Sequence, residues 1–157
     1  MIKSDQEMHS KIDNLLRSQQ LAALSTQRDG QPYTSLMAFA HTPDLKFIVV
    51  ATGKSTRKHQ NILQDSRVSL LIDNRSNSEG DFHSAMALTV LGKAQPIEAA
   101  EQSAFEDLYL GRHPYLEKFL TSPSTAFVKI VVYHYLLVSR FQNVMEYTIC
   151  DEFDLFT

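Results

Sequence analysis

The chemistry in this sequence concentrates in one stretch, Thr52-Gly53-Lys54-Ser55-Thr56-Arg57-Lys58-His59-Gln60-Asn61, where an apolar run gives way to a helical pattern. Ser55 or Thr56 is placed to cap a helix that continues through Ile62 and Leu63. Lys54, Arg57 and Lys58 crowd the helix end that already carries partial positive charge, a mismatch of about 0.3–1 kcal/mol per residue. An anion bound there would turn the mismatch into an attraction, because backbone N–H groups, hydroxyls and cations would all face it. The same residues also fit a solvated basic helix start. A P-loop is excluded, since it needs a glycine five positions before Gly53 and Ile48 stands there. No dinucleotide glycine fingerprint is present either.

Other side chains offer less. His9, His41, His59, His83, His113 and His134 are scattered without the spacing of a metal site, so no metal is expected and most are read as surface or hydrogen-bonded histidines. His59 follows the cations and is a candidate to approach the anion. No Gly-x-Ser-x-Gly elbow occurs, which argues against a serine hydrolase. Cys150 is the single cysteine, so an intramolecular disulfide or a cysteine-built metal site is excluded. A net charge of -3 argues against a nucleic-acid partner, and the one local basic cluster suits a small anion better than a polyanion. No apolar run approaches the roughly 20 residues of a membrane span. Residues Met1 to Glu7 lack the apolar core of a signal peptide, so a cytoplasmic protein is expected.

The elements that must position the basic stretch follow from periodicity. All 157 residues read as one domain, without linker or repeat. Met8, Ile12, Leu15 and Leu16 recur at helical spacing within a helix of about residues 4–19. Leu21–Thr26 and Pro32–Ala40 read as strands joined by an Arg28-Asp29-Gly30 turn. Lys46–Ala51 is an apolar strand that feeds the basic stretch, and Arg67–Asp73 is the strand after it. Asn74–Asp81 reads as a polar loop and His83–Ala94 as a long strand with a bend at Gly92. Glu98–Tyr109 is helical with Gly111 as its stop, and Pro114–Phe119 adds a helical turn. Ala126–Cys150 reads as two long strands with a bend between about Tyr133 and Asn143. Asp151–Thr157 is an acidic, aromatic tail. Six or seven strands linked mostly by tight turns favour an antiparallel barrel with a few short helices over a parallel sheet.

In that order of elements, residues Gln31 to Pro96 resemble the pyridoxamine 5′-phosphate oxidase-like, FMN-binding split-barrel superfamily. The resemblance rests on four pieces: Gln31-Pro32-Tyr33-Thr34-Ser35-Leu36-Met37-Ala38-Phe39; the basic stretch; Asp65-Ser66-Arg67-Val68-Ser69-Leu70-Leu71-Ile72-Asp73; and Leu91-Gly92-Lys93-Ala94. It implies a mainly β, six-stranded antiparallel split barrel that forms a homodimer, with FMN bound across the interface. Carried onto this chain, Lys54, Ser55, Thr56, Arg57 and Lys58 would hold the phosphate, with Thr52 and Asn61 beside them. Ser35, Leu36, Met37 and Ala38 would lie along the ribityl chain and ring, Met37 being equally suited to the core. Asp73, Asn74 and Arg75 would close over the flavin or form a plain turn. Arg140-Phe141-Gln142-Asn143 would be a turn or, by the resemblance, reach the flavin of the other subunit.

Two departures from the vitamin-synthesising oxidases bear on activity. Those enzymes carry an arginine and a lysine where Ser35 and Ala40 stand, and a basic C-terminal segment where this chain has Asp151-Glu152-Phe153-Asp154. Pyridoxamine phosphate oxidation is therefore not expected. What remains is an FMN-dependent oxidoreductase taking electrons from NADH, NADPH or another small donor. Alternatives are deazaflavin in place of FMN, or a non-catalytic carrier or sensor holding flavin or haem.

Overall fold

A computed structural model describes residues 2–140 and 142–150, so Phe141 and the acidic tail lie outside the described residues. Helix α1 (Ile2–Ser18) leads into β1 (Leu21–Arg28) and β2 (Gln31–His41). Asp29 and Gly30 connect these strands with φ of 51° and 81°, and Arg28 faces Gln31 across the turn. Two left-handed residues give the loop the twist of the strands it joins, which is why the Asp-Gly pair sits there. The chain continues through β3 (Phe47–Gly53), α2 (Arg57–Gln64), β4 (Arg67–Asp73), a single turn α3 (Asp81–Ser84), β5 (Met86–Pro96), α4 (Gln102–Arg112), α5 (Glu117–Thr121), β6 (Thr125–Ser139) and β7 (Asn143–Thr148).

The strands lie in the order β3-β2-β1-β4-β5-β6, and β3 also pairs with β6, so six antiparallel strands close into a barrel. β6 is 15 residues long; β5 pairs along one edge of it and two strands share the other. Its first half, Thr125 to Val131, pairs with β3, and its second half, His134 to Ser139, pairs with β7. The long strand follows the curve because the register with β5 shifts at Leu91/Gly92. A Cβ on Gly92 would stand 2.3 Å from the Val131 carbonyl oxygen, so only glycine admits this approach.

Each end of the barrel is covered by a helix. α1 covers one end with Ile12, Leu15 and Leu16, all at most 2% exposed and packed in the main core. α2 covers the other, where β1 and β3 finish and β4 and β6 begin, and contributes Ile62 to the same core. A second cluster lies outside the barrel, where Phe105 and Tyr109 of α4 and Leu120 near the end of α5 pack on Ala40, Val49 and Ala51 of β2 and β3.

Two boundaries differ from the sequence reading. The fifth strand begins at Met86 rather than His83, because the Asp81 carboxylate gathers the backbone N–H groups of Ser76, Asn77 and Ser78 and starts a helical turn that takes in His83. The helix expected to stop at Gly111 runs to Arg112, where the following His113-Pro114 ends it. The last strand pair follows the sequence reading: β6 runs to Ser139 and β7 begins at Asn143, with Tyr133 the extra residue of the bulge opposite Leu91/Gly92.

Candidate functional site

Thr56, rather than Ser55, caps α2. Its hydroxyl accepts from the His59 N–H at 3.3 Å and donates to the Gly53 carbonyl at 2.8 Å. With its single proton used there, the 2.9 Å contact between the Thr52 and Thr56 hydroxyls must be donated by Thr52. Thr52 is 2% exposed, so both threonines are committed to holding the junction between β3 and α2. The Lys54 carbonyl accepts from His59 Nδ1 at 3.1 Å and from Gln60 Nε2 at 3.0 Å. A carbonyl only accepts, so His59 carries its proton on Nδ1 and serves to pin the loop.

This internal bracing leaves Lys54, Ser55 and Arg57 exposed and Lys58 half-buried around the N-terminus of α2. Among the described residues no acidic side chain pairs with Lys54, Arg57 or Lys58. The Arg57 guanidinium lies 5.6 Å from the centre of the Tyr33 ring on β2. Asn61, one turn further along, is 1% exposed; its Nδ2 donates to the Thr26 hydroxyl at 3.0 Å, while its Oδ1 has no hydrogen-bond partner. Beside them opens a cleft of about 480 Å³ lined by Arg28, Asp29, Gln31, Tyr33, Arg57 and Asn61. Its neighbour Asp65 is already engaged: hydrogen bonds from Arg67 hold its carboxyl far below the usual carboxylate range, with Gln27 as a further donor.

The second strand divides by alternation. Leu36 and Ala38 point outward, with Leu36 67% exposed opposite Ala23, itself opposite Leu71. Met37 lies in the core and the Ser35 Oγ is buried without a partner. Leu21, Leu36 and Leu71 thus leave an exposed apolar strip on the outer wall. A ligand on that wall meets the side chains of Leu36 and Ala38 but only the backbone of Met37.

Two further groups lie at the far end of the barrel. β4 starts beside α2 but ends about 20 Å away, at 3.3 Å per residue. Asp73, Asn74 and Arg75 are therefore at the opposite end of the barrel from the basic cluster of their own chain, with Arg75 paired to Asp73 at 3.3 Å. Arg140, exposed with φ 48°, is at that far end too, because β6 runs from the α2 end to Ser139, which pairs with Met86. Conversely, sequence reading gave no site role to Arg28, Gln31 and Tyr33. The signal was a hairpin that returns the chain to its starting point, placing residues more than twenty positions before Arg57 beside it. Among the described residues no group of three His, Cys, Asp or Glu side chains could hold a metal ion.

A sequence model for pyridoxamine 5′-phosphate oxidase matches residues 8–138. The chain belongs to that family. A Schizosaccharomyces pombe protein described as a pyridoxamine 5′-phosphate oxidase homolog is 31% identical over 99 residues, 55% of this chain and 52% of its own, so the chain spans about half the length of this curated relative. Among solved structures, a haem-binding protein from Mycobacterium smegmatis superposes with a TM-score of 0.79 at 16% identity, over 89% of this chain and 57% of its own. A putative pyridoxamine 5′-phosphate oxidase from Listeria innocua gives 0.66 at 22%, over 83% and 98%. An FAD-binding protein from Mesorhizobium loti gives 0.65 at 14%, over 82% and 90%. At these identities the structures share the split-barrel fold, while their ligands differ.

Proposed function

We propose that this protein is a homodimeric flavin-binding oxidoreductase that anchors the flavin mononucleotide unit by its phosphate at the N-terminus of α2. The observation that carries this reading is the set of cations, Lys54, Arg57 and Lys58, gathered at a helix N-terminus without an acidic partner. Cations there cost stability unless an anion joins them. The residues present fit a flavin phosphate: Ser55 offers an exposed hydroxyl beside the cations, and Thr52 and Thr56 hold the junction that presents it. Flavin, when bound, supplies reversible electron transfer, so the protein need provide only binding, orientation and electrostatics. Leu36 and Ala38 on the outer wall, together with the exposed Leu21 and Leu71, suit a ring held between two copies of the chain, which is where Arg140 of one copy would approach the flavin of the other. We place this activity in the cytoplasm, with NADH, NADPH or another small donor as reductant.

Purified protein should carry flavin absorbance. Replacing Arg57 and Lys58 together by alanine should weaken FMN binding at least a hundredfold while leaving the fold intact by circular dichroism. Tight FMN binding by that double variant would refute the phosphate assignment. Reduction of bound flavin by NADH or NADPH and reoxidation by an acceptor supports an enzyme; bound ligand that no donor reduces supports a carrier or sensor. The absorption spectrum of the extracted ligand separates flavin from deazaflavin and from haem.

A further inference from the structure

An exposed arginine samples many rotamers, and each one frozen when an anion binds subtracts from the affinity. Arg57 is exposed, yet its guanidinium already has a place, 5.6 Å from the centre of the Tyr33 ring. That lies within the roughly 6 Å over which the negative face of an aromatic ring attracts a cation. A guanidinium that meets a ring with its flat face keeps its N–H donors, which lie in its own plane, for an anion beside it. The contact with Tyr33 therefore orders the side chain without using up its donors.

The ring is in turn placed by ties between the first hairpin and α2. Thr26 stands directly opposite Tyr33 in the β1–β2 pair and is 3% exposed. Its hydroxyl accepts from Asn61 Nδ2 at 3.0 Å and donates to the Tyr33 carbonyl at 3.5 Å. One turn further along, at the C-cap of α2, Asp65 accepts from Gln27 Nε2 at 2.5 Å. Both ties run to β1, and the antiparallel register then sets Tyr33 on β2 against the first turn of the helix. Neither uses the Tyr33 side chain, so the ring can be removed while the helix stays fastened.

We propose that Tyr33 is a positioning residue for the flavin phosphate: its ring holds the Arg57 guanidinium ready for the anion, and it acts only through Arg57. The inference rests on the flavin reading given above. An exposed contact of this kind is worth about a two- to fivefold change in affinity, less than the loss expected on removing the cation itself. What matters is the ring, so phenylalanine should replace tyrosine without loss.

The test is calorimetric titration of flavin-free protein with FMN, for the native chain, Tyr33→Leu, Tyr33→Gln, Tyr33→Phe, Arg57→Ala and Tyr33→Leu combined with Arg57→Ala, each checked for folding by its melting curve. Tyr33→Leu and Tyr33→Gln should weaken FMN binding about two- to fivefold, and Tyr33→Phe should bind as the native protein does. In the Arg57→Ala background, Tyr33→Leu should bring no further loss, because the group it positions is gone. Native affinity in both Tyr33→Leu and Tyr33→Gln, an equal loss in Tyr33→Phe, or the same loss with and without Arg57 would overturn the role of Tyr33 and leave the phosphate reading standing. Failure of the folded native protein to bind FMN would overturn both proposals.

Discussion

At one end of the barrel α1 buries Ile12, Leu15 and Leu16, and its last carbonyls find a partner: Arg112 of α4 donates to the backbone oxygens of Leu16 at 3.2 Å, Arg17 at 3.3 Å and Gln19 at 2.6 Å, with Phe39 at 3.4 Å. At the other end α2 buries only Asn61 and Ile62, leaves Lys54, Arg57 and Lys58 without acidic partners, and keeps an unsatisfied oxygen on Asn61. Both helices do the same topological work, covering an opening of the same barrel. The first satisfies its helix terminus from within the protein, whereas the second presents its terminus with the charge that only an external anion would balance. The difference separates residues that hold the fold from residues arranged for a ligand.

The contrast breaks most visibly at Arg112. Replacing it by methionine keeps much of the apolar stem but removes donors from four carbonyls, and charged hydrogen bonds of this kind are worth about 1.5–3 kcal/mol. Stability should fall by about 2–3 kcal/mol, lowering the melting temperature by about 5–10 °C, with flavin affinity unchanged. A melting temperature equal to that of the native protein would show that water satisfies the end of α1 equally well.

A pH titration probes the same end. His41 is 4% exposed, and its Nε2 lies 2.8 Å from Asp13 of α1. Burial pushes the imidazole below its ordinary 6.5, outweighing the opposing pull of Asp13; Arg17 and Arg112 add to the lowering. The folded protein therefore resists a proton that the unfolded chain accepts. Stability contributed by neutral His41 is complete above pH 6.5 and declines as the pH falls below it. Melting curves from pH 8 to pH 5 should show this decline, and His41→Gln should flatten it over the same interval. An unchanged slope in the variant would place the titration elsewhere.

The smallest effect belongs to the α2 end and has the opposite sign. Lys58→Gln removes one cation from the wrong end of the helix dipole and should stabilise the ligand-free protein by about 0.3–1 kcal/mol. That corresponds to about 1–3 °C in melting temperature. The same substitution should weaken FMN binding, so stability and affinity move in opposite directions. Loss of both would mean that Lys58 holds the fold, and the distinction between the two ends would fail.

The α2 end was legible because its signals are local. A cap hydroxyl, a glycine and three cations within six residues mark a helix start and its charge regardless of what surrounds it. The Arg112 clasp was not legible, since its acceptors are backbone oxygens that carry no side-chain signature and lie more than seventy positions earlier in the chain. Sequence reading let Asp73 close over the flavin or form a plain turn, with no means of telling the two apart. A strand runs away from its starting point, and seven residues of β4 carry Asp73 to the other end of the barrel.

By itself the sequence determined the antiparallel barrel and the basic helix start, because alternating apolar residues, Asp-Gly turns and capping patterns act over a few residues. Which residues face that helix start was decided only by the tertiary structure. Closure of β3 on β6 and the return of the β1–β2 hairpin bring Arg28 and Tyr33 to Arg57, and strand alternation sends Leu36 outward and Met37 into the core. Those are consequences of register and closure, which depend on every strand at once.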